Sequence, residues 1–85
     1  MSADDELFDR VGVALTARPD WRYGPSSTPG APPAWCFEPA GTILLTVSVI
    51  DGVILLYVPE EDWEVPIDSL DGLLRWLDAR EADRR

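Results

Sequence analysis

Thr42-Ile43-Leu44-Leu45-Thr46-Val47-Ser48-Val49-Ile50, then Asp51-Gly52, then Val53-Ile54-Leu55-Leu56-Tyr57-Val58, is a pair of β-rich runs joined by the dipeptide that favours a type I′ turn. A two-residue loop fixes the register. Ile50 falls opposite Val53, Val49 opposite Ile54, Ser48 opposite Leu55, and Val47 opposite Leu56. Thr46 then meets Tyr57, and Leu45 meets Val58. Opposed residues share one face of a sheet. One face therefore carries Ile43, Leu45, Val47, Val49, Ile54, Leu56 and Val58. It is wholly apolar and is the expected core face. The other carries Leu44, Thr46, Ser48, Ile50, Val53, Leu55 and Tyr57. That side is too apolar for a plain solvent face and too polar for a deep core. The whole stretch approaches the ~17-residue lower limit of a membrane-spanning helix. Asp51-Gly52 interrupts it, and the alternation fits a hairpin.

Upstream, Asp4, Asp5 and Glu6 place negative charge where a helix dipole favours it. Leu7, Phe8, Val11, Ala14 and Leu15 recur at helical spacing, and Pro19 stops the run. The spacing predicts a helix over 3–17. Residues 20–34 hold Pro25, Pro29, Pro32 and Pro33 with Gly24 and Gly30, and are expected to be a connecting loop. Pro29-Gly30-Ala31-Pro32 matches PxxP but lacks flanking basic residues, so a solvated connector is the simpler reading. Trp21 and Tyr23 form a short edge strand or pin the loop to the body. Trp35-Cys36-Phe37-Glu38 is a short strand, and Pro39-Ala40-Gly41 a turn.

Downstream of the hairpin, Pro59 ends the strand and Pro66 is expected to end any extension. Asp68 or Ser69 caps a last helix. Its Leu70, Leu73, Leu74 and Leu77 form an i, i+3, i+4, i+7 stripe, with Trp76 at the stripe's edge. The expected fold is α+β, one small domain over residues 1–85. It has an N-terminal helix, a three- or four-stranded antiparallel sheet with a central hairpin, and a C-terminal helix on the same face.

Composition excludes much chemistry. The 85 residues contain no histidine, so neither a Ser-His-Asp nor a Cys-His pair can form. Cys36 is the sole cysteine, which rules out an intrachain disulfide and a structural zinc site of the usual kind. It is read as a buried structural thiol. There is no phosphate-binding glycine loop. Catalysis is not expected, and neither is a metal or other cofactor. The carboxylates Glu60, Glu61, Asp62 and Glu64 lack the spacing of an EF-hand loop and fit a solvated turn. All seven basic residues are arginine, and lysine, asparagine and glutamine are also absent, a bias that fits a GC-rich genome, actinobacterial or phage. With no basic and apolar leader after Met1, the compartment is expected to be cytoplasmic.

The net charge is −9, and residues 23–74 hold eight carboxylates and no basic residue. Contact with nucleic acid phosphates or an anionic membrane needs the opposite. The expected partner is another protein or a second copy of the chain. The mixed sheet face motivates a non-enzymatic protein-interaction module, with Leu44, Ile50, Val53, Leu55, Tyr57, Trp63 and Trp76 as candidate interface residues, against the alternative that the N-terminal helix or the Pro-rich segment covers that face. Its alternative is an acidic inhibitor or nucleic-acid mimic, phage- or host-encoded, presenting Glu60, Glu61, Asp62, Glu64, Asp68 and Asp71 to a basic site. A small secretion-type chaperone is a third reading, by analogy of fold and charge alone.

Overall fold

The computed structural model describes residues 3–24 and 33–83. The PxxP stretch lies outside the described residues. The elements run α1 (Ala3–Thr16), β1 (Trp21–Gly24), β2 (Ala34–Phe37), β3 (Leu45–Ile50), β4 (Val53–Val58), β5 (Trp63–Ile67) and α2 (Leu70–Asp83). The strands form one antiparallel sheet in sequence order, β1-β2-β3-β4-β5.

The hairpin register from Thr46↔Tyr57 to Ile50↔Val53 matches the reading of the turn. Both turn residues have positive φ, 51° at Asp51 and 78° at Gly52, as a type I′ turn requires. The Gly52 N–H donates to Asp4 Oδ1 at 2.7 Å. This carboxylate at the start of α1 thus ties the helix to the hairpin tip.

The sheet has one strand more than the three or four expected. The extra strand is β5, which contains Pro66 opposite Leu55. Proline lacks only the N–H, and β5 is an edge strand, where one side of the backbone needs no partner. Pro66 therefore does not end the extension. Of the expected loop over residues 20–34, Trp21–Gly24 instead form β1 and Ala34 begins β2, while residues 25–32 lie outside the described residues.

Both helices pack on one face. Val11 and Leu15 of α1 join Leu73 and Leu77 of α2, and Leu45, Val47, Ile54, Leu56 and Val58 of the hairpin, in one core cluster. Leu15, Ile54, Leu56 and Leu73 are fully buried, each worth about 2 kcal/mol in apolar transfer. Ile43 departs from expectation. It precedes β3 and is 43% exposed, because the chain reaches the sheet only at Leu45.

Two local devices fix the helices. Trp35 lies on the helix side by its pairing with Val47, stacks on Phe8 (centroids 5.1 Å apart) and donates its indole N–H to the Phe8 carbonyl at 3.0 Å. The ring sits where a side chain on Gly12 would be: a Cβ there would lie 2.0 Å from Trp35 Cζ2. In α2, Ser69 is the cap, its Oγ accepting from the Gly72 N–H at 3.1 Å. At the far end, Arg18 hydrogen-bonds Asp78 and approaches Glu81 at 3.9 Å, joining the end of α1 to α2.

Candidate functional site

Strand alternation sends every second residue to the side opposite the helices. Arg22, Cys36, Thr46, Tyr57 and Glu64 form one row across all five strands. Ser48, Leu55 and Pro66 belong to the next row, and Ile50 pairs with Val53 at the hairpin end. Among the described residues, no helix packs against this side. In particular, α1 does not cover it, because its buried side chains point into the core cluster on the other face.

The open face therefore carries an apolar stripe along the hairpin. Ile50 is 40% exposed, and Val53, Leu55 and Tyr57 are half-buried. Carboxylates bound both ends. At one end the Tyr57 hydroxyl donates to Asp62 Oδ1 at 2.8 Å, and Tyr57 pairs with Glu64. The hydrogen bond to Asp62 raises the phenol pKa above its ordinary value, with slight desolvation and the Asp62 and Glu64 charges adding to it. At the other end stand Asp51 in the turn and Asp68 directly after β5. Asp62 takes φ 49°, a left-handed conformation that aspartate tolerates, which closes the turn before Trp63.

Cys36 occupies the β2 position of this face and is 9% exposed. Burial raises its thiol pKa first, Glu38 adds to the shift, and Arg22 opposes it. Gly24 makes room for the sulfur, since a Cβ there would sit 2.6 Å from Cys36 Sγ. A protonated, enclosed thiol is a poor nucleophile.

Four of the seven candidate interface residues, Ile50, Val53, Leu55 and Tyr57, share the open face. Three do not. Leu44 precedes β3 and packs against the core cluster. Trp63 pairs with the core residue Val58, which turns it to the helix side, where it meets Trp76 with centroids 6.4 Å apart. Arg80 places its guanidinium 5.4 Å from the Trp76 ring centroid. The six candidate acids are also divided. Glu60, Glu61 and Asp62 lie in the turn before β5, whereas Asp68 and Asp71 lie beyond its other end, separated by a five-residue strand that spans roughly 17 Å. Glu64 lies between them on the open face. Among the described residues, no three histidine, cysteine or carboxylate side chains come together as metal ligands. No described helix is long and apolar enough to cross a membrane.

Sequence reading also missed a cavity of about 530 Å³ on the helix side, floored by Trp21, Phe37, Leu45 and Leu77. It forms where the ends of α1 and α2 and the β4–β5 turn converge, and no local motif announces such a convergence. The fold is that of a small α+β domain with a five-stranded antiparallel sheet. Comparison of the chain with protein-family models, curated proteins and solved structures finds no match.

Proposed function

We propose that the chain is a small, non-enzymatic protein-interaction module whose docking surface is the open face of the sheet. One observation carries this reading. Ile50, Val53, Leu55 and Tyr57 form a continuous apolar stripe, bounded at both ends by carboxylates, in a segment with no basic residue at all. An apolar strip of this kind outside the core marks an interface. The carboxylate borders select its partner: a protein surface that presents apolar side chains framed by lysine or arginine. A second copy fits less well, because pairing this face with itself brings Asp62 and Glu64 toward like charges. The acidic-inhibitor reading merges with this one in part. Asp62, Glu64 and Asp68 border the stripe, while Glu60 and Glu61 extend the negative field that steers a basic partner toward it.

The test uses solution mass and resonance mapping together. Size exclusion with light scattering should give a monomer at all concentrations, at low and high salt. Addition of a short peptide alternating lysine and leucine should shift the amide resonances of Val53, Leu55 and Tyr57. A glutamate–leucine peptide should leave them in place, and Tyr57→Asp should abolish the response to the basic peptide. A dimer that survives high salt and is split by Tyr57→Asp would overturn the heterotypic reading and make the face a self-interface. Equal response to both peptides, or none at these residues, would remove the face as a docking surface.

A further inference from the structure

The cavity on the helix side lies across the sheet from the proposed docking face and has a different character. Its floor is aromatic and aliphatic. Trp21 and Phe37 lie with ring centroids 5.3 Å apart, beside Leu45 and Leu77. At about 530 Å³ it falls within the ~300–1,000 Å³ span of small-molecule sites. Leu44 and Pro19 complete the apolar walls.

The rim decides the ligand's charge. Arg18 and Arg80 line it together with Asp20, Glu60 and Glu81. Arg18 is already neutralised, since it bonds Asp78 and approaches Glu81. Arg80 lies over the Trp76 ring. Among the described residues, and counting Asp78, two guanidinium groups stand against four carboxylates, so the described part of the mouth is net negative, on a chain whose overall charge is −9. Asp20 holds its place at the rim through a left-handed backbone (φ 70°), and its carbonyl accepts from the Glu38 N–H at 2.9 Å. Such a site attracts cations from solution, while its apolar floor receives an apolar body.

We infer that this cavity is a binding site for a small organic cation with an aromatic or branched apolar body, an amine rather than a carboxylate. The apolar body rests on Trp21 and Phe37, and the ammonium group faces Asp20 and Glu60. The site shares only Glu60 with the field around the open sheet face, and the resonances that report each site differ, so either proposal stands or falls alone.

The test titrates the isotope-labelled chain at low salt and neutral pH with phenethylammonium and, separately, with phenylpropionate, which is similar in shape and opposite in charge. Phenethylammonium should shift the Trp21 indole and the Phe37 and Leu45 amides, and should bind about tenfold more tightly than the anion. Asp20→Asn, which keeps the left-handed backbone, and Glu60→Gln at an exposed turn should each weaken binding about threefold without changing the melting temperature. Leu44→Trp should fill the cavity and abolish both responses. Equal or tighter binding of phenylpropionate would overturn the inference, as would shifts confined to other residues or unchanged affinity in both carboxylate variants.

Discussion

The β3–β4 hairpin shows two faces of one piece of backbone with opposite fates. Leu45, Val47, Ile54, Leu56 and Val58 are at most 5% exposed, whereas Ile50 on the reverse is 40% exposed and Val53, Leu55 and Tyr57 are half-buried. Hydropathy alone does not separate Leu55 from Leu56. The difference comes from what arrives from elsewhere in the chain. Val11, Leu15, Leu73 and Leu77 supply one apolar stripe per helix, and both stripes close on the same side. Among the described residues there are two helices, and both lie on the same side, so neither covers the other face. Partition between the faces is thus a property of the helices, while assignment of residues to faces is a property of the turn.

The sharpest way to break this comparison is to truncate neighbouring leucines on opposite faces. Leu56→Ala should cost about 3 kcal/mol and lower the melting temperature by about 15 °C, because a fully buried side chain leaves a cavity. Leu55→Ala should cost less than about 1 kcal/mol. Urea unfolding measures both as midpoint shifts. Equal costs would mean that the reverse face is as well covered as the core.

A second substitution probes how the covered face is spaced. Gly12→Ala replaces a poor helix former with the best one, a gain of about 1 kcal/mol at an ordinary site. Here the added methyl would meet the Trp35 ring, which Phe8 holds by stacking and by a hydrogen bond. Overpacking of about 3 kcal/mol outweighs the propensity gain, so the variant should lose about 2 kcal/mol. A stabilised Gly12→Ala protein would show that α1 can rise off the sheet without penalty.

The covered face also has a tether at its edge. Asp4→Ala removes the acceptor for the Gly52 N–H and a favourable charge at the start of α1, for a loss of about 1 kcal/mol. Asp4→Asn should recover the hydrogen bond but not the dipole term. Hydrogen exchange at the Gly52 amide should quicken in the alanine variant and stay near wild type in the asparagine variant.

These contrasts also show what was legible in the sequence. Asp51-Gly52 and strict alternation carried the hairpin register residue by residue, and Pro19 and a cap at Asp68 or Ser69 placed the helix ends, because each is a local steric or hydrogen-bonding constraint. What failed was non-local. Pro66 looked like a strand breaker because its tolerance depends on β5 being an edge. Trp63 and Trp76 could not be placed from the sequence, because their mutual packing depends on α2 folding back over β5. Gly12 carried no local signal, since its small size answers to Trp35 across the fold. The candidate site was half legible: the turn assigned Ile50, Val53, Leu55 and Tyr57 to one face, but the cavity formed by the helix ends depends on tertiary convergence.

The smallest expected effect belongs to the open face. Tyr57 and Asp62 share a hydrogen bond that the phenol can donate only while protonated. That bond is the leading cause of the raised phenol pKa. Its contribution to stability is therefore present below the unfolded phenol's pKa of ~10 and is lost as pH rises through the higher folded value. The chain has two tyrosines, so Tyr23→Phe isolates the signal. Phenolate absorbance of that variant should titrate above 10.0, the unperturbed value, and Asp62→Ala should bring the midpoint back toward it. A midpoint that ignores Asp62 would mean that the ring end of the stripe is free to move, leaving Val53 and Leu55 as the ordered part of the docking face.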